Sequence, residues 1–216
     1  MRAVLPALAL SGLLLAPTAA RAQSKPAATA THATHAAHAG PSSGAAPSAS
    51  RANSAADEKL IANALSAAPL SIAKTASVRN HDGRMLKKGS SDWVCMPDMP
   101  DVPNNTPMCL DAPWRSFIDA WMKQQKPTVT AVGFGYMMQG DMPVSNTDPF
   151  AKAPTTTNEW IANGVPHVML LLPDPKQLQS ISGDANNGGP WVMWRGTAWA
   201  HVMVPTTTSA TRTEKR

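Results

Sequence analysis

Gly188–Pro205 reads GGPWVMWRGTAWAHVMVP and holds three tryptophans, two methionines and a histidine in eighteen residues. Its apolar alternation predicts a β-hairpin, because side chains two apart on a strand share a face. Ala198, Ala200, Val202 and Val204 then look one way, and Trp199, His201 and Met203 the other. Upstream, Pro166–Leu172 reads PHVMLLL, so His167 and His201 each precede Val and Met. The second strand aligns His167 with Met169 and Leu171. If the two strands pair in a suitable register, both imidazoles meet beside Met169 and Met203. Histidine with thioether sulfur suits copper as Cu(I) or Cu(II), which makes His167, His201, Met169 and Met203 the candidate metal ligands. The competing reading is structural: methionines fill gaps in a core, and each ring is half-buried with one nitrogen bonded.

The formal charge of +5 on 216 residues raises the question of nucleic acid. Between Ala56 and Thr207, however, 12 Lys and Arg stand against 13 Asp and Glu, leaving −1. The positive surplus sits outside that span, and only Arg84, Lys87 and Lys88 cluster within it. A phosphate-binding face needs its cations on the folded part, so a nucleic-acid partner is not expected.

Residues 1–22 carry an apolar run and end in Ala20-Arg21-Ala22, the pattern of a signal peptide cleaved between Ala22 and Gln23. Secretion, most simply to a periplasm, is the expected localisation, and retention as a membrane anchor is the alternative. After cleavage no stable membrane span is expected. Residues 23–55, rich in Ala, Ser, Thr, Pro and Gly, lack the apolar content to offset ordering entropy and read as a disordered linker. His32, His35 and His38 recur in it every three residues; they can chelate a divalent cation or be low-complexity drift. Residues 208–216 read as a disordered basic tail.

The span 56–207 is expected to be a single α+β domain with a mainly antiparallel sheet of about six strands, three or four short helices and one disulfide. Cys95 and Cys109 are the only cysteines, and in an oxidising compartment they are expected to bond. Four prolines between them predict an irregular loop. A helix is expected over 57–66, preceded by Ser54 or Ala55. Strands follow over 71–79 and 84–93 around an Asn80–Gly83 turn that exposes His81. The strongest amphipathic helix runs from Pro113 to Gln125, with Asp111 as N-cap and Trp114, Phe117, Ile118, Trp121 and Met122 at helical spacing. The strand over 128–139 puts Gly133 and Gly135 on one face, leaving room for a helix or a tryptophan. A helical turn is expected over 158–163, and a short helix from Asp174-Pro175 through Ile181.

Gly140–Pro154, GDMPVSNTDPFAKAP, is a polar stretch long enough to be functional. Ser145 and Asp148, with His167, are the alternative catalytic set, a hydrolase in which Asp141 and Asn146 supply further polar groups. Yet no nucleophile elbow, HExxH or Walker motif accompanies them, and such residues also build ordinary turns. Asp98, Asp101 and Asp111 raise calcium as a further cation, against solvated loop acids. Trp191, Trp194 and Trp199 can line a groove for an apolar or sugar ligand, or simply pack.

The blocks DWVCMPDMPDVPNNTPMCLD (92–111), GYMMQGDMPVSNTDPFA (135–151), GVPHVMLLLPD (164–174) and GGPWVMWRGTAWAHVMVP (188–205) resemble a family of exported bacterial proteins of uncharacterised function. The resemblance implies export and a single domain; it implies no activity, cofactor or site. The functional expectation is therefore a non-enzymatic domain that binds a small ligand or a soft metal through its two HVM strands. A hydrolase on residues 140–154 and an envelope interaction protein with an aromatic contact face are the alternatives.

Overall fold

In the computed structural model, which describes residues 53–207, the chain enters its first helix at Ser54. Ser54 Oγ accepts the Asp57 amide while the Asp57 carboxylate accepts the Ser54 amide, a reciprocal cap that satisfies two otherwise free donors. Helix α1, Ala55–Leu65, turns Ile61 and Ala64 inward. The expected signal peptide, the histidine triplet, the basic tail and all but the end of the expected linker lie outside the described residues.

Pro69 precedes a single helical turn, α2 at Leu70–Ala73, where a strand is expected from the sequence. Strands β1 (Ser77–Arg79) and β2 (Met85–Lys87) pair antiparallel around the Asn80–Gly83 turn. Gly83 has a φ of +86°, a conformation other residues reach only with strain. His81 is exposed, as expected, and its Nε2 lies 2.8 Å from the Pro97 carbonyl.

The Cys95–Cys109 stretch is irregular over 97–107, where its four prolines fall, as expected. Its ends form strands β3 (Val94–Met96) and β4 (Met108–Leu110), with Cys95 directly opposite Cys109 and the two joined by a disulfide. Asp111 then caps α3, Ala112–Met122, through the Trp114 amide, and its second oxygen accepts the Phe134 amide. One carboxylate thus fixes both the helix start and its position against the next strand.

That strand, β5 at Gly133–Met137, shows why its glycines are needed. A Cβ on Gly133 would lie 3.2 Å from Trp114 Cδ1 and 2.9 Å from Pro113 Cβ; one on Gly135 would lie 2.8 Å from Met169 Cε. The bare backbone is the floor on which α3 lays its tryptophan. The chain continues through β6 (Val144–Ser145), β7 (Trp160–Ile161), β8 (His167–Leu171), a 3-10 turn at Pro175–Leu178, β9 (Trp191–Met193) and β10 (His201–Pro205). β7 replaces the helical turn expected over 158–163.

One sheet runs in the order β2-β1-β3-β4-β5-β8-β10-β9, antiparallel throughout except for the parallel pair β1 and β3; β6 and β7 form a separate ribbon. Among the described residues the architecture is α+β with three α-helices and a mainly antiparallel sheet, of eight strands rather than about six. Five of the eight are only three residues long, too short for alternation to reveal them. One sheet face packs Leu110, Met137, Met169, Leu171, Met193 and Met203 against Trp114 and Phe117 of α3. On the other face, α1 closes an alanine-rich core around the disulfide, while Leu178 and Ile181 cover Val192 and Val202.

Candidate functional site

The polar stretch after β5 is held down by a small set of long-range bonds. The Asp141 amide bonds the Gly164 carbonyl at 3.3 Å, and Val144 and Ser145 pair with Ile161 and Trp160. Asn146, which is 2 % exposed, does most of the anchoring. Its Nδ2 donates to Glu159 Oε2 at 2.8 Å and to the Gly183 carbonyl at 2.9 Å, while its Oδ1 accepts Trp191 Nε1 at 3.1 Å. Its carbonyl accepts the Trp194 amide at 2.7 Å. A buried amide with every group paired fixes geometry, because leaving one unpaired costs about 1–3 kcal/mol.

Beneath this anchored segment lies a cavity of about 220 Å³. Its inner wall is His167 of β8, Met203 of β10, and Trp191 and Met193 of β9, with Ala185 beside them; Asp141, Val144 and Ile161 form its waist, and Glu159, Asn163 and Asn186 its exposed rim. The walls therefore come from the two HVM strands and the hairpin partner, closed over by the ribbon.

His167 is 1 % exposed. Its Nδ1 lies 2.7 Å from the Val165 carbonyl, which can only accept, so Nδ1 carries the proton. In the neutral ring Nε2 is then an acceptor, and it is buried with no hydrogen-bond partner. Across the cavity, Asp141 gives one carboxyl oxygen to the Met142 amide at 2.7 Å. The residue is half-exposed as a whole, but its carboxyl end is enclosed, and desolvation pushes its pKa up, offset in part by the neighbouring His167 and by the Met142 bond.

His201 has a different environment. β8 and β10 pair antiparallel with Pro205 opposite His167, Met203 opposite Met169 and Val202 opposite Leu170. His201 is therefore four residues along β10 from the position facing His167, about 13 Å at the rise of a strand. The two rings share a face but do not meet. His201 donates or accepts at Nδ1 with the Trp199 carbonyl at 2.9 Å, and since that carbonyl only accepts, the ring nitrogen donates. Trp114, Phe117 and Trp194 each stand edge-on to the ring at centroid distances of 5.0 to 5.8 Å. Burial pushes its pKa down to about 4, so at neutral pH it is an uncharged part of the core.

The structure distributes the remaining sequence candidates as follows. Met203 shares the cavity wall with His167, whereas Met169 packs into the core against the glycine face of β5. Ser145 is fully buried, and its Oγ accepts the amides of Thr147 and Asp148 at 3.2 and 2.9 Å. Asp148 in turn caps the Phe150 amide. This is the geometry of a turn, and it gives the serine no base. Asp98 accepts from Asn63 and from the Thr106 amide, and Asp111 caps α3, so these acids tie chain segments together. Among the described residues no group of three or more His, Cys, Asp or Glu is arranged to hold a metal ion. Of the three hairpin tryptophans, only Trp191 borders the cavity. Trp194 instead stacks on Trp121, with a φ of 54° held by bonds from its amide to Asn146 and from its indole to the Ser145 carbonyl.

Glu159, Ile161 and Ala185 complete the cavity without any signal in the sequence. They are brought in by the β6–β7 ribbon and the Asn146 bonds, which join residues up to 45 positions apart. Comparison with protein-family models, with curated proteins and with solved structures finds no match.

Proposed function

We propose that the protein is an exported, non-enzymatic binding protein that holds a small organic ligand in the cavity bordered by β8, β9 and β10. The observation that carries this reading is the bare Nε2 of His167, a buried acceptor with nothing bonded to it. Such an atom costs about 1–3 kcal/mol unless something pairs with it, and its residue lines the cavity. The volume also speaks for a molecule rather than an ion, since an apolar cavity of about 150 Å³ is enough for benzene. Apolar walls around a few inward polar groups are the usual make-up of a small-ligand site.

Export rests on the leader pattern of residues 1–22 and on the resemblance described above. A disulfide joins Cys95 and Cys109, and among the described residues no helix is long and apolar enough to cross a membrane. The near-neutral charge of 56–207 argues against a nucleic-acid partner.

A soft-metal reading is supported by one further observation: His167 shares its cavity with the thioethers of Met193 and Met203. It needs only one of the two histidines. A screen of small organic fragments by ligand-observed NMR, with His167→Phe as control, tests the principal reading. Binding in the parent and its loss in the variant are expected. Binding that survives His167→Phe overturns the site, and Cu(I) competition that exceeds every fragment favours the metal.

A further inference from the structure

The cavity's inward chemistry is one-sided, and this deepens the proposal above, on which it rests. Asp141 at the waist and Glu159 at the rim bring carboxylates to the cavity, and His167, whose Nε2 has no partner among the described residues, lines its inner wall. Among the described residues no lysine or arginine lines it. The two ion pairs among the described residues, Arg84 with Asp57 and Lys123 with Asp119, involve neither of its acids. Glu159 has a neutral partner in Asn146, and Asp141 has one in the Met142 amide, so neither acid is paired with a lysine or arginine among the described residues.

We infer that the ligand is a small primary amine bound as its ammonium cation, with the charged head between Asp141 and His167 and an apolar body against Trp191. The ammonium group has three donors and no acceptor, which matches a wall of acceptors. An anion would face two uncompensated carboxylates, and a neutral alcohol brings only one donor. A hard metal ion takes six or more oxygens at fixed short distances, which two carboxylates and an imidazole do not supply.

The test uses three probes of matched shape, benzylamine, benzyl alcohol and benzoate, titrated at pH 7 by calorimetry into the full chain and into Asp141→Asn. Asparagine keeps the shape and the bond to the Met142 amide while removing the charge. Benzylamine is expected to bind about tenfold or more tighter than benzyl alcohol, the difference between a charge-assisted and a neutral hydrogen bond, and benzoate is expected not to bind. In Asp141→Asn the ratio of amine to alcohol affinity is expected to fall toward one. Glu159→Gln provides a second variant at the exposed rim, with a smaller fall expected. If alcohol or benzoate binds as tightly as the amine, the cation preference is overturned while the cavity remains a binding site. If none of the three binds the parent protein, the cation site is overturned, and a positive fragment screen dependent on His167 would still uphold the cavity.

Discussion

The two ends of the sheet solve opposite problems. Around β1–β4, helix α1 and the Cys95–Cys109 bridge enclose small side chains, and the buried or capping acids have partners: Asp57 with Arg84 and Ser54, Asp98 with Asn63 and Thr106. Around β8–β10 the core is built from tryptophan and methionine, encloses two histidines, and leaves two buried atoms, His167 Nε2 and Trp199 Nε1, without partners. The first end is closed and covalently stapled. The second end contains the cavity. The disulfide and the cavity lie on separate stretches of one sheet, so on the proposed reading the staple can be cut without touching the candidate site.

The largest effect expected of that separation follows from removing the staple. The Cys95→Ala, Cys109→Ala double variant frees a loop with a sequence separation of 14, which in the chain-entropy model costs about 3 kcal/mol. Urea midpoints should fall accordingly while fragment affinity in the folded protein stays unchanged. Loss of affinity with the bridge would break the comparison.

Next comes acid. Between pH 6.5 and about 4 the unfolded chain binds a proton at His201 that the folded chain refuses, so stability rises with pH across this window. The contribution is complete above pH 6.5 and falls by up to about 3 kcal/mol as pH drops to about 4. The difference in unfolding free energy between the parent and His201→Phe should therefore shrink toward low pH. A difference independent of pH would mean that His201 is not held neutral by burial.

Smaller effects sharpen the glycine floor. Gly133→Ala meets the stiff Pro113 ring at 2.9 Å and is expected to cost about 1–3 kcal/mol. Gly135→Ala meets the flexible end of Met169 at 2.8 Å, so its cost should lie at or below the bottom of that range. Thermal melts of the two variants check the order; the reverse order would place the tight contact on the wrong glycine.

Much of this was legible in the residues. Asp111 before Ala112-Pro113 announced α3, the glycine pair of β5 announced a close neighbour, and the parity of Gly188–Pro205 assigned Val202 and Val204 to one face and His201 and Met203 to the other. The cavity was not legible, for two physical reasons. The HVM echo aligns two strands by sequence, but antiparallel pairing reverses one of them, so it brings Met169 to Met203 and sends the histidines to opposite ends. And β6 and β7 are two residues each, held by a ladder and by Asn146 bonds of long sequence separation that no local pattern encodes.

Two histidines in nearly identical sequence have different surroundings, His167 on the cavity wall and His201 packed in the core. Long-range proton–nitrogen NMR on the labelled protein reads both rings directly as benzylamine is added. The Nε2 resonance of His167 is predicted to move with the titration while that of His201 stays fixed. A His167 resonance that does not move while benzylamine binds, or a shift confined to His201, would contradict the proposed site.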